Sequence, residues 1–368
     1  MKIALLQDQL LTCAGSERVF LHMTNEFKEA DIFTLCYNKD STWPEFKEKK
    51  INTHPLGKFI KNHKQFKLAF PISTYLMQCW NFNDYDLIIS SSATTAKYIS
   101  NFKGIHISYC YFPTRAIWNY DAYFEKTGIK EFIFSLMMNY FKKRDIEAAS
   151  RVHYFFSISE MTKEYVKKIY RRDSEVLFSP VETDKVDANN INDDFYLIVS
   201  RLEKWKKIEY AIEAFNFNKK KLVIIGTGPD EKYLKSISNE NIFFKGFINK
   251  FSLASYLQSA KAVIHTPYLE YGLVPIEAAV YGTPSICYGK GGVVETMNDK
   301  QKINGEILTS VFFRDQNSKS LNNAIDEFEK VSFNKDEIQK YAEKFSVNRF
   351  QNSMRNSVNK FIEKSSEK

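Results

Sequence analysis

The stretch AVIHTPYLEYGLVPIEAAVYGTPSICYGKGGVVE, residues 262–295, decides the fold of this 368-residue chain, because an apolar run ends abruptly in a polar turn and a helix. Residues 262–265 predict a buried strand, 267–273 its exit loop, and 275–281 the first turns of a helix that carries Glu277 and stops at Gly282. Backbone N–H groups at such a helix start attract phosphate, and a carboxylate just inside the helix can accept from ribose hydroxyls. After Pro284, residues 285–288 form another short apolar run that ends in the glycine loop 289–292, so two strand ends are expected to converge on one crevice. The same letters also fit a plain strand-loop-helix whose glutamate merely sits in the first helical turn.

Outward from this stretch, strands and helices alternate from end to end. Residues 2–6, 32–35, 87–90 and 105–110 predict strands, and 17–27, 93–98, 129–150 and 160–170 the helices between or after them. Residues 181–194 are polar, rich in Asn and Asp, and without apolar periodicity, which predicts a linker between domains. The rhythm restarts with strand 196–199, helix 208–215, strand 221–225, helix 230–238 and strand 242–245. The expected organisation is therefore an N-terminal domain over 1–182, a linker over 183–194, a second domain over 195–340 and a charged terminal helix over 341–368. Each domain is a doubly wound α/β unit with a parallel sheet, and ligands in such sheets sit at the carboxyl ends of the strands.

Composition agrees with two globular cores: 44% hydrophobic and 26% charged residues. The net charge of +8 is spread along the chain, with lysines recurring between Lys47 and Lys67 beside aromatic residues. That region reads equally as a solvated surface and as a patch that meets anionic lipid or phosphate. Nucleic acid is not expected, since no recognition module accompanies the charge. Cys13, Cys36, Cys79, Cys110 and Cys287 are scattered without a C-x-x-C pair, which predicts reduced core thiols in a cytoplasmic protein. The apolar run 131–141 falls far short of a membrane span and fits either burial between domains or a peripheral surface at the inner face of a membrane.

Charged and glycine-rich turns fall at the ends of the predicted strands. Ser200-Arg201-Leu202 closes the first strand of the second domain and Lys206 and Lys207 follow, Gly226-Thr227-Gly228-Pro229 follows the next strand, and Phe244-Lys245-Gly246-Phe247 the third. Together with Tyr271-Gly272-Leu273-Val274-Pro275-Ile276-Glu277-Ala278, Tyr281-Gly282-Thr283-Pro284 and the turn from Gly291 to Thr296, these segments resemble the donor-sugar signature of the retaining glycosyltransferases of family four, which have the GT-B fold. Ala14-Gly15-Ser16-Glu17-Arg18-Val19 and Tyr109-Cys110-Tyr111-Phe112-Pro113-Thr114-Arg115 resemble turns of a bacterial, mannosyltransferase-like subgroup that makes surface polysaccharides.

The resemblance implies two Rossmann-like domains facing each other across a cleft, and a nucleoside diphosphate sugar as co-substrate with no cofactor. It implies that Arg201 and Lys206 neutralise the donor diphosphate and that Glu277 binds ribose. Gly226 and Gly228 would lie near base and diphosphate, Phe247 would offer an apolar surface to the base, and the Gly272, Leu273 and Val274 backbone would donate toward phosphate or sugar. Gly15, Ser16, expected to cap its helix, and Arg115 would shape the side that receives a glycan or polyprenyl-linked acceptor. No metal is implied, since no D-x-D pair follows a strand.

Two departures fall around the sugar. Counting eight positions back from Glu277, where the family carries its first glutamate, lands on Leu269, and the acidic residue stands one place later at Glu270. Tyr111 occupies the place of the family's histidine, and Ala93 that of another, with His106 and His265 the nearest alternatives in sequence. A leucine cannot accept a hydrogen bond from a sugar hydroxyl, so a deoxy or N-acylamino donor is expected. The expected function is retaining glycosyl transfer in surface polysaccharide synthesis, with Arg201, Lys206, Glu270 and Tyr111 at the chemistry. The alternatives are a catalytically silent partner subunit of the same fold and a nucleotide-sugar epimerase.

Overall fold

The computed structural model describes residues 1–118, 129–184, 191, 194–299 and 307–366, with side chains from residue 137 onward in the helix Ile129–Ser150. The chain divides into two compact units, Met1–Ser179 with Phe350–Lys368, and Pro180–Arg349. Most of the predicted linker, residues 185–190, 192 and 193, lies outside the described residues, as do the side chains of 131–136 in the apolar run 131–141.

The first unit is built on seven parallel strands: β1 (Ile3–Gln7), β2 (Asp31–Thr34), β3 (Ile51–Thr53), β4 (Leu87–Ser92), β5 (Ile105–Cys110), β6 (Tyr154–Ser157) and β7 (Glu175–Val176), in the order β3-β2-β1-β4-β5-β6-β7. β1 and β4 are buried along their whole length, as parallel strands covered by helices on both faces must be. The strand order reverses between β1 and β4. Residues of the helix Val347–Ser366 from Phe350 onward complete this unit: Phe350 meets Tyr109 edge-on, Phe361 stacks on Tyr154 at 4.2 Å, and the Arg355 guanidinium lies 4.5 Å from the Phe27 ring and pairs with Glu26.

The second unit repeats the plan with β8 (Tyr196–Val199), β9 (Leu222–Ile225), β10 (Ile242–Gly246), β11 (Val263–His265), β12 (Ser285–Tyr288) and β13 (Ser310–Phe313), all parallel in the order β10-β9-β8-β11-β12-β13. Successive strand residues point to opposite faces. Ile198, Ile224, Ile264 and Ile286 pack with Ile212, Phe215, Leu321 and Ile325 of helices Ile208–Asn218 and Ser318–Phe328, and Leu197, Val223 and Val263 pack with Leu257 and Ala278 on the other side. The reversal here lies between β8 and β11.

Three local expectations fail. No helix forms over 93–98; the segment is a turn whose successive backbone N–H groups gather on the Asp8 carboxylate at the end of β1. Its Oδ2 accepts from Ala93 at 2.7 Å and Thr94 at 2.8 Å, and its Oδ1 from Thr95 at 2.7 Å and Ala96 at 2.6 Å. Ser16 does not cap the helix Gly15–Glu26: Ala14 holds the cap position, and the Ser16 hydroxyl, one residue into the helix, donates to Glu17 at 2.8 Å. The five cysteines are all free, but Cys13 and Cys79 are exposed rather than core thiols.

Candidate active site

The reversal between β8 and β11 gathers the charged and glycine-bearing turns of the second unit. β8 ends at Val199, and the next residues lie against the loop after β9 backbone to backbone: Ser200 N–H donates to Ile225 at 3.0 Å, and Leu202 N–H to Thr227 at 3.0 Å. A Cβ on Gly226 would collide with the Ser200 carbonyl oxygen, one on Gly228 with that of Leu202, and Gly226 has φ +130°. These two glycines are therefore needed first for loop-on-loop packing, which fixes where Arg201 emerges. The Gly226 N–H also donates to the Gly246 carbonyl at 2.8 Å, tying in the turn that carries Phe247, whose ring is 83% exposed.

The Arg201 guanidinium is solvent-exposed and paired with Glu203, which also accepts from Trp205 Nε1 at 2.6 Å. The tight turn Lys204–Lys206 sets the Lys206 ammonium 4.2 Å from the Trp205 ring, and the Lys206 carbonyl accepts from the Thr266 hydroxyl at 2.7 Å. The loops after β8 and β11 are thereby stitched together. His265, at the end of β11, is buried, and its Nε2 meets no hydrogen-bond partner. Burial, and after it the Lys206 charge, push this imidazole down to about 3, so it is neutral at physiological pH.

After β11 the chain reaches the helix Leu273–Val280, which starts two residues earlier than its sequence suggests. Gly272 at its N-cap supplies no side-chain cap, and Pro275 has no N–H, so the Leu273 and Val274 N–H groups are the ones available to an anion. Glu277 stands half-buried, one full turn into the helix rather than in its first turn. The shortened approach, Leu269 and Glu270, is clamped from the loop after β12: Gly292 N–H donates to the Leu269 carbonyl at 2.8 Å, and a Cβ on Gly292 would collide with the Glu270 carbonyl. Glu270 itself is only 8% exposed. Arg201, Lys206, Gly226, Gly228, Phe247, Glu270, Gly272, Leu273, Val274 and Glu277 thus all lie on strand-exit loops of one sheet or the helix after β11.

Gly15, Ser16, Tyr111 and Arg115 belong to the first unit. The Tyr111 hydroxyl donates to the Ser16 carbonyl at 3.0 Å and shares a 3.0 Å hydrogen bond with Ser91. Burial pushes that hydroxyl well above its ordinary value, so Tyr111 holds the Gly15-Ser16 turn in place and is no proton acceptor. Beside it, Glu17 is buried and accepts from Thr12 and Ser16, both at 2.8 Å, and burial raises its carboxyl despite those bonds. Arg115 opens the short helix Arg115–Trp118, its guanidinium 5.7 Å from the Phe112 ring.

Sequence reasoning missed what holds that segment. Asp145, fully buried, accepts from Tyr98 at 2.8 Å, Thr114 at 2.8 Å, Trp118 at 2.7 Å and Tyr170 at 2.7 Å, and pairs with the buried Lys97 at 2.9 Å. Burial works against its charge, but Lys97 and the hydrogen bonds hold the carboxyl below the usual carboxylate range. Nothing in the sequence around Asp145 singles it out, and only its five-fold partnership reveals the role.

Residues 181–345 match the family model described as Glycosyl transferases group 1. The alpha-1,3/1,6-mannosyltransferase ALG2 of Saccharomyces cerevisiae is 23% identical over 364 residues, covering 80% of this chain and 71% of its own. Among solved structures, Anabaena HepE in complex with UDP superposes with TM-score 0.70 at 14% identity, covering 98% of this chain and all of its own. Sucrose-phosphate synthase from Thermosynechococcus elongatus gives 0.72 at 15% identity over 98% of this chain and 99% of its own. These likenesses carry the GT-B fold of two parallel-sheet Rossmann-like units. Residues 181–345 are a group 1 glycosyltransferase domain, and the chain that bears it is a glycosyltransferase.

Proposed function

We propose that the chain transfers a hexose, with retention, from a nucleoside diphosphate donor to a lipid-linked glycan acceptor. The observation that carries the reading is the convergence at the β8/β11 reversal of Arg201, Lys206 and the uncapped start of the helix Leu273–Val280. Two cations and two N–H groups there suit a diphosphate, whose charge grows as the glycosidic bond breaks. Glu277, further along the helix, suits the ribose hydroxyls. With the leaving diphosphate as proton acceptor, no side-chain base is required, which fits a Tyr111 whose hydroxyl burial keeps protonated.

The donor sugar has two readings, each with its own support. The similarity to alpha-1,3/1,6-mannosyltransferases favours a mannosyl donor. Leu269 at the place of the family's first glutamate favours a deoxy or N-acylamino face. A role in surface polysaccharide synthesis, at the cytoplasmic face of a membrane, belongs to the same proposal and rests on the turns around Gly15 and Tyr111. The test is release of nucleoside diphosphate from GDP-mannose, UDP-glucose and deoxy or acylamino donors in competition, with the anomeric configuration of product read by NMR. An inverted product, or no turnover with any donor and a lipid-linked acceptor, refutes retaining transfer. Preference for GDP-mannose over every modified donor refutes the Leu269 argument.

A further inference from the structure

From Lys49 to Asn83 the chain contains no aspartate or glutamate, while it carries Lys49, Lys50, Lys58, Lys61, Lys64 and Lys67. At the chain's average of 44 acidic residues in 368, a stretch of this length would hold about four. The helices His63–Leu68 and Phe70–Gln78 follow one another through Ala69, and their inward side buries Phe66, Phe70, Ser73, Thr74 and Met77. That is the apolar face a surface helix needs.

A second apolar face points the other way. Leu68, the last residue of the first helix, is 77% exposed, and Ile72 and Tyr75, at the i, i+3 spacing of neighbours on one side of the second, are 61% and 44% exposed. The helix Ile129–Ser150 extends the patch with exposed Met137 and Tyr140. The Tyr75 and Tyr140 hydroxyls share a hydrogen bond, Arg144 lies 3.9 Å from the Tyr75 ring, and Phe70 meets Phe141 beneath at 5.7 Å. Just upstream, the short helix Pro55–Phe59 exposes Leu56 and Phe59, the latter 67%. Singly exposed apolar residues are ordinary, but a row of them with two tyrosines and an acid-free set of lysines is not.

The chemistry selects the occupant. In an isologous contact between two copies, the lysines of one would meet those of the other. A lipid surface instead takes leucine, isoleucine and phenylalanine at its acyl boundary, tyrosine at its headgroups and lysine at its phosphates. We propose that this face, with Phe59, Leu68, Ile72, Tyr75 and Tyr140 as its apolar contacts and Lys58, Lys61, Lys64 and Lys67 as its cationic ones, docks the first unit on an anionic bilayer surface. Docking is peripheral: among the described residues no helix is long and apolar enough to cross a membrane. The inference stands on this surface alone and does not depend on which sugar is transferred.

The test is co-sedimentation of the full chain with phosphatidylcholine vesicles, with and without phosphatidylglycerol. The wild type should pellet with the anionic vesicles only and be released as salt rises. Changing Lys61, Lys64 and Lys67 to Gln should weaken binding by about fivefold per lysine, the size of one charge at such a surface. Leu68→Ser with Ile72→Ser should weaken it at least tenfold, while the thermal midpoint and the release of nucleoside diphosphate from a water-soluble donor stay at wild-type values. The proposal is overturned by equal sedimentation of the lysine variant, by absence of wild-type binding to either vesicle, or by a solution dimer that Leu68→Ser with Ile72→Ser disperses.

Discussion

The two sheets share one strand order, yet the crevice at which that order reverses is used in opposite ways. Between β1 and β4 the chain supplies its own anion: the Asp8 carboxylate sits where four successive N–H groups, from Ala93 to Ala96, point. At the exits of β8 and β11 the chain instead places cations: the Arg201 guanidinium is exposed, and the Lys206 turn is tied to Thr266 through its carbonyl. The helix after Gly272 starts there without a side-chain cap, and a neutral His265 lies buried beside Gly272. One topology thus carries, in the first unit, a turn sealed by the chain's own carboxylate and, in the second, the crevice proposed to hold the donor diphosphate.

Breaking the sealed crevice should have the largest effect. Asp8→Ala leaves four buried N–H groups without their acceptor, and a loss of about 3–5 kcal/mol in urea unfolding is expected. A variant as stable as wild type would mean that water replaces the carboxylate without cost. In the second unit's crevice, Arg201→Ala and Lys206→Ala should each raise the transfer barrier by about 2–4 kcal/mol with little change in the thermal midpoint, since on the proposed reading both charges serve the leaving diphosphate rather than a core. Wild-type turnover in both would remove the diphosphate assignment.

Two finer substitutions sharpen the contrast. Glu277→Ala should weaken binding of the free nucleoside diphosphate by about 1.5–3 kcal/mol in calorimetry, whereas Glu270→Ala should leave it unchanged and alter only sugar preference. Equal losses in both would merge their roles. His265 gives the smallest effect. Its folded-state value of about 3 lies below the ordinary 6.5, so between those pH values the unfolded chain binds a proton that the folded chain does not, and stability falls as pH falls. His265→Leu removes an unpartnered polar atom, so it should shift stability at pH 7 by about 1 kcal/mol or less and flatten that acid-side slope, leaving the part due to the equally depressed His106. An unchanged slope in pH-dependent melts would place the proton elsewhere.

Strands buried on both faces read as short, mainly apolar runs, which is why residues 196–199 and 285–288 were legible without any partner, and 105–110 too although His106 and Ser108 interrupt it. The edge strands β3 and β7 are three and two residues long and have no such run to show. The turn at 93–96 is held from far away in sequence: the acceptor of its backbone N–H groups is a carboxylate more than eighty residues upstream. The placement of the proposed site residues was legible where position alone decides it: Arg201 and Lys206 on the loop after β8, and Glu277 in the helix after β11. It was illegible where a residue's partner is another loop. Gly226 and Gly228 suggested a phosphate cradle, but their nearest constraint is the Ser200–Leu202 backbone, and Tyr111 looked like a reacting group until its hydroxyl was found holding Ser16.

The first unit closes only with residues that are made after the whole of the second. Tyr109, Tyr154, Phe27 and Glu26 are made early, but their partners Phe350, Phe361 and Arg355 arrive after the entire second unit has been synthesised. The order of birth and the order of completion are therefore reversed. The second unit can finish its core as soon as its own residues emerge, while the first waits with Tyr109 and Tyr154 lacking their ring partners, so removal of residues 350–366 falls on the first unit rather than the second.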